Sequence, residues 1–183
     1  MIEDICEHSV DVSMIQAGSC VLDVGCRGFG FSNALAALGA VVYPVDIDDL
    51  GGDQSYTRCA ITATKGLCGI QMTDDPQARH TIPGTTIVAH TIDSFSKFVG
   101  VTRWSVIKLD CEGDEFGILS ALTAPPADQI TVEFHQHTAR RRTQVELDSL
   151  FDHLRQWYAM PVCKFESRHG VGFNYWDCLF TIK

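Results

Sequence analysis

Four short runs bring carboxylates, glycines and imidazoles to the ends of apolar segments. They are Val21-Leu22-Asp23-Val24-Gly25-Cys26-Arg27-Gly28-Phe29-Gly30, Asp46-Ile47-Asp48-Asp49, Ile107-Lys108-Leu109-Asp110-Cys111-Glu112-Gly113-Asp114-Glu115, and Thr131-Val132-Glu133-Phe134-His135. In the first run, glycines let a ligand approach the backbone closely, and the following helix start offers free N–H donors. The spacing of Gly25, Gly28 and Gly30 is G-x-x-G-x-G. It is not the dinucleotide fingerprint G-x-G-x-x-G, and no Walker lysine follows. Asp23 would repel a neighbouring pyrophosphate but suits a cationic group such as an amino-acid ammonium. S-adenosylmethionine (SAM) carries that ammonium, a sulfonium and no phosphate. Asp23, Gly25, Cys26, Arg27, Gly28, Phe29 and Gly30 are therefore candidate cofactor contacts.

Asp46 follows Asp23 by 23 residues and ends the next apolar run. An acid in that place accepts hydrogen bonds from ribose hydroxyls. Ile47 lies beside it, and Asp48 and Asp49 are alternatives. Asp110 ends the fourth main strand, at the same expected sheet edge. It can bind the methionine end of SAM, position an acceptor, or hold a hard cation. Glu133 and His135 end the fifth strand and are candidate general bases. The expected catalytic set is thus Asp110, Glu133 and His135. No metal site is assigned, although ligation by those three is chemically possible. Glu115 reads as a first-turn acid that favours the helix dipole. Arg140-Arg141-Arg142 reads as a solvated helix entry or a contact for an anionic substrate. Phe173, Tyr175, Trp176 and Phe180 read as sheet core.

The elements that must position these groups alternate between strands and helices, which implies βαβ units. Strands are predicted at Cys20–Val24, Ala40–Val45, Arg58–Thr62, Cys68–Met72, Thr86–His90, Ser105–Leu109, Gln129–Phe134, Val162–Glu166 and Phe173–Ile182. Helices are predicted at Phe31–Leu38, Ile92–Phe98, Asp114–Leu122 and Thr143–Tyr158, with short ones at residues 2–8 and 11–17. Ser32 is the expected N-cap and Gly39 the stop of the first long helix. Thr143 and Glu146 fit a capping box, and Leu147, Leu150, Phe151, Leu154 and Tyr158 form one apolar face. The fold class is α/β: one doubly wound, mainly parallel sheet with a C-terminal antiparallel hairpin, in a single domain over residues 1–183.

The chain has 183 residues, 14 basic and 23 acidic, for a net charge of −9. That size suits one domain, and 45 % hydrophobic content excludes a disordered or collagenous chain. An acidic chain lacks the basic footprint of a nucleic-acid binder. No apolar run approaches the roughly 18 residues of a membrane span. The N-terminus does not read as a secretory signal, so a cytoplasmic protein is expected. None of the eight cysteines sits in a Cys-x-x-Cys pair. Reduced, buried thiols are therefore expected rather than zinc or disulfides.

Three segments resemble the FkbM branch of the class I SAM-dependent methyltransferases. They are VLDVGCRGFGFSNAL, HTIDSFSKF and VIKLDCEGDEFGIL. In the last, Lys108, Asp110, Glu112, Gly113 and Glu115 match the signature I-K-x-D-x-E-G-x-E. The resemblance implies a seven-stranded SAM-binding fold and methyl transfer, usually to oxygen, on a small-molecule or sugar acceptor. Asp23 and the Gly25–Gly30 loop would hold the methionine end and Asp46 the ribose. Ala60 and Ile61 would flank the adenine, with Asp110 and Glu112 facing the reacting centre. The first motif is one residue longer than the family pattern. A nicotinamide oxidoreductase is disfavoured by the glycine spacing, and a SAM-binding scaffold without transferase activity is the remaining alternative.

Overall fold

The computed structural model describes residues 1–72, 79–135, 142–167 and 174–183. The chain opens with an antiparallel hairpin, β1 (Ile2–Ile5) and β2 (His8–Asp11), followed by a 3-10 turn at Val12–Met14. This corrects the short helices expected at 2–8 and 11–17. The hairpin turn is Cys6-Glu7, and both residues have positive φ, 50° and 73°. Such turns normally advertise themselves with Asn-Gly or Asp-Gly. Here neither residue does, so the reversal is invisible in the sequence.

The main sheet is built from β3 (Cys20–Val24), β4 (Val41–Asp46), β5 (Thr57–Arg58), β10 (Trp104–Leu109), β11 (Ala127–His135), β12 (Val162–Ser167) and β13 (Asn174–Thr181). Its order is β12-β13-β11-β10-β3-β4-β5. The strands from β5 to β11 are parallel, and β13 runs antiparallel to both β11 and β12. This matches the expected parallel sheet with a terminal hairpin. Between β5 and β10 the chain forms β6 (Ala60–Ile61), β7 (Gly66–Met72), β8 (Arg79–Pro83) and β9 (Ile87–His90), a second sheet of order β6-β9-β7-β8. β8 was not anticipated.

The central strands are apolar throughout because both their faces are covered. One face packs under α2 (Ile92–Val99), α3 (Glu115–Ser120) and α4 (Gln144–Leu154), with Phe95, Trp104, Ile107, Leu119, Ile130 and Leu154 in its core. The other face packs Val21 and Val106 under Phe31 and Leu35 of α1 (Gly30–Ala37) and Val10 of β2. The N-terminal hairpin thus completes the cover on the α1 side. Ser32 lies inside α1 rather than at its cap, which is Phe29 in the left-handed region. Gly39 follows the helix at φ 89°.

The capping box at α4 forms as expected: the Thr143 hydroxyl and Glu146 N–H meet, and Glu146 returns to the Thr143 N–H. The helix ends at Leu154 rather than Tyr158. Tyr158 lies in a β-bridge with Ile182, and its hydroxyl donates to the Ala127 carbonyl at 2.9 Å. Thr143→Ala should lower stability by about 1 kcal/mol. That corresponds to a melting temperature roughly 2–4 °C lower by differential scanning calorimetry. An unchanged melting temperature would remove the cap from the account.

Cys163 and Cys178 stand opposite each other in β12 and β13 and form a disulfide. This corrects the expectation of reduced thiols throughout; Cys6, Cys20, Cys26, Cys59, Cys68 and Cys111 are free. Phe180 is core, as expected. Phe173, Arg140 and Arg141 lie outside the described residues, as do the side chains of Tyr175 and Trp176. Arg142 stacks over Phe116 at 4.5 Å and pairs with Glu146. Among the described residues no helix is long and apolar enough to cross a membrane.

Candidate functional site

Parallel pairing sets Asp23 of β3 beside Lys108 of β10 in the same register row. The strands end together just beyond, and a cavity of about 570 Å³ opens at the carboxyl edge of β3, β4, β10 and β11. That is where open α/β sheets bind their ligands, and the volume suits a cofactor-sized molecule. Asp23, Gly25, Cys26, Arg27, Gly28, Gly30, Asp46, Ile47, Asp110, Glu133 and His135 all line it. Of the expected contacts only Phe29 does not. It packs edge-on against Tyr56, with ring centroids 6.1 Å apart, in a shallow adjoining depression.

The floor is a buried ion cluster. Lys108 Nζ lies 3.2 Å from Asp23 Oδ1 and 3.3 Å from Asp110 Oδ2, and it donates to the Gly25 carbonyl at 2.8 Å. The Ser32 hydroxyl donates to the other Asp23 oxygen at 2.6 Å. Both Asp23 oxygens therefore already face partners within the chain. Burial opposes the Lys108 charge, but Asp110 and Asp23 outweigh it and hold the ammonium protonated. Burial likewise opposes charge on Asp110, yet Lys108, His8 and His135 keep it well below the usual carboxylate range.

The loop above the floor needs its glycines. Gly25 has φ 77°, and a Cβ there would lie 1.8 Å from the Asp110 carbonyl oxygen. A side chain would force β3 and β10 apart at the site. Gly25→Ala combines left-handed strain with overpacking. It should cost about 2–3 kcal/mol by urea unfolding; a loss below about 0.5 kcal/mol would contradict this packing.

On the β4 side, Asp46 is buried at the strand end and accepts from the Asp48 N–H at 2.9 Å. Burial raises its pKa. Asp48 pairs with Arg27 at 2.6 Å, so Asp46 is the acid of the expected group that stays on the cavity wall without a cationic partner in contact. Cys59, Ala60 and Ile61 make a small apolar wall next to it. The thiol of Cys26 is pushed up to about 12 by burial and the Asp23 charge, and burial also raises Cys111. Neither is a thiolate nucleophile near neutral pH.

The β10–β11 side carries the candidate bases. His135 Nδ1 lies 2.9 Å from Glu115, and its Nε2 faces Glu112 at 3.4 Å, Glu133 at 3.5 Å and Asp110 at 3.7 Å. Burial works against the imidazolium, but Glu115, Glu112 and Asp110 overcome it and raise the ring to about 10. Glu133 moves the other way: burial and the Asp110 charge push it up to about 7. Glu115 is a first-turn acid of α3, as expected, and does more there. Its carboxylate is buried and accepts from the Cys111 and Gly113 N–H groups as well as meeting His135. It holds the turn in which Glu112 takes a φ of 56°.

Sequence reasoning missed several contributors. Glu7 and His8 reach the cavity from the N-terminal hairpin, and Thr81 of β8 donates to Asp114 at its rim. Asp177 of β13 stands behind His8 at 3.7 Å. Each depends on an element whose position no local motif announces.

The residues are of a kind that fits SAM: a buried acid, Asp46, on the cavity wall, small apolar neighbours in Cys59, Ala60 and Ile61, and a glycine, Gly25, where a Cβ would meet the Asp110 carbonyl. A family model for the methyltransferase FkbM domain matches residues 33–170. No curated protein sequence matches the chain. Among solved structures, magnesium protoporphyrin IX methyltransferase from Synechocystis PCC 6803 with bound SAH aligns with a TM-score of 0.51. Identity is 13 %, covering 90 % of this chain and 74 % of that one. A second, the 1,6-didemethyltoxoflavin-N1-methyltransferase of Burkholderia thailandensis, aligns at a TM-score of 0.47 and 15 % identity, covering 91 % and 72 %. The matched residues include β4, β10 and β11 with their acids Asp46, Asp110 and Glu133, and the chain belongs to the FkbM family of SAM-dependent methyltransferases.

Proposed function

We propose that this methyltransferase transfers the methyl group of SAM to a hydroxyl oxygen of a small, uncharged acceptor, a sugar or another polyol. SAM supplies an electrophilic methyl group on a sulfonium, open to in-line displacement. The chain supplies the alignment, which accounts for much of such a rate. Asp46 accepts from the ribose hydroxyls, and Cys59, Ala60 and Ile61 enclose the base. The Gly25–Gly30 loop takes the methionine end, with Asp23 fixing Lys108 and the loop carbonyl beneath it. The observation that carries the oxygen reading is Glu133. Its carboxylate lines the cavity at the end of β11, beside Asp110 and His135, where an acceptor proton can be taken. His135 is held as a cation by Glu115 and serves to position and balance Glu133 rather than to receive the proton. Eight carboxylates line the cavity against Arg27, Lys108 and two histidines, and that excess disfavours an anionic acceptor.

Asp46→Ala should raise the SAM dissociation constant about 10–100-fold, the loss of a charge-assisted hydrogen-bond pair. Isothermal titration measures it, and unchanged affinity would reassign the ribose. The function itself is tested with methyl-labelled SAM and a panel of neutral polyols, amines and carboxylic acids. Label on a hydroxyl is the expected result. Label only on amines or carboxylates would overturn the oxygen assignment.

A further inference from the structure

His8 is out of place as a core residue. It is buried; its Nδ1 has no hydrogen-bond partner and faces Asp177, and its Nε2, on the cavity side, has Asp110 at 3.7 Å. That is too long for a hydrogen bond. A buried imidazole left unsatisfied costs free energy, so the arrangement calls for a partner. The same space holds Glu133. Donor atoms of His8, Asp110 and Glu133 all lie within 4.8 Å of one another. Three such atoms can close on one ion at bond lengths of about 2.0–2.2 Å with small side-chain movement.

We infer that His8, Asp110 and Glu133 form a binding site for a divalent first-row transition ion, Mn²⁺ or Zn²⁺ in kind. One imidazole and two carboxylates favour such an ion over Mg²⁺ or Ca²⁺, which take oxygen ligands. The support behind the ligands agrees. Metal-bound histidines usually turn their other ring nitrogen to a carboxylate, and Asp177 Oδ1, itself buried and unpartnered, stands 3.7 Å from His8 Nδ1. The three ligands come from β2, the end of β10 and the end of β11, so the N-terminal hairpin is what completes the site.

Ion binding is independent of methyl transfer, so the two readings fail separately. The test is titration of chelator-treated protein with Mn²⁺ and with Zn²⁺, each with Mg²⁺ as control, followed by calorimetry and by electron paramagnetic resonance for Mn²⁺. The expected result is one tight site per chain, with affinity reduced at least tenfold in both His8→Gln and Asp177→Asn. SAM affinity in both variants should stay near that of the wild type, which also shows that they are folded. No saturable binding of Mn²⁺ or Zn²⁺, or binding that both variants retain in full, would overturn the site.

Discussion

Glu133→Gln should reduce turnover by about 10²–10⁴-fold, the usual contribution of a positioned general base. The substitution keeps the shape of the side chain and removes the carboxylate that would take the proton. SAM affinity should stay near wild type, because Asp46 and the glycine loop lie on the β3–β4 side of the cavity. The fold should hold as well: burial and the Asp110 carboxylate both oppose charge on Glu133, so a neutral isostere removes an unfavourable interaction. Single-turnover kinetics with the acceptor that the wild-type enzyme methylates would separate the chemical step from binding. A turnover loss smaller than about fivefold would take the base role away from Glu133.

Lys108→Met should be the most damaging single change to the fold. The ammonium is buried and serves Asp23, Asp110 and the carbonyl oxygens of Val24 and Gly25 at once. Asp23 is fully buried, and without Lys108 only the Ser32 hydroxyl remains to its side chain among the described residues. Breaking a buried pair from one side costs about 3–5 kcal/mol, because the other charge is left uncompensated. For a chain of this size the melting temperature should fall by roughly 6–20 °C. The Asp23→Asn/Lys108→Met double variant should recover part of that loss. If the single variant loses less than about 1 kcal/mol, the cluster is not the strut under the glycine loop.

The central sheet was legible because its signals are local. Continuous apolar runs such as Cys20–Val24 and Trp104–Leu109 end in acids, and parallel pairing then brings Asp23, Asp46, Asp110 and Glu133 to one edge without further information. The capping box of α4 was equally readable. What escaped depends on tertiary packing. Four-residue strands with a Cys6-Glu7 turn give too short a pattern to distinguish from helix, so Glu7 and His8 were not seen as cavity residues. Glu115 occupies a first-turn position where an acid is unremarkable; only the folded turn shows it gripping His135. Asp23 reads as a partner for a ligand's ammonium, and the pairing register also sets Lys108 beside it, which no local motif announces. The Cys163–Cys178 bond follows from the β12–β13 register, which spacing alone does not encode.

The central claim is that the cavity at the carboxyl edge of β3, β4 and β10 is a SAM site. Calorimetric titration of the purified protein with SAM, with SAH and with NAD tests it most directly. The account predicts saturable binding of SAM and SAH at one site per chain, weakened in Asp46→Ala, and no binding of NAD. Binding of NAD, or of neither SAM nor SAH, would contradict it.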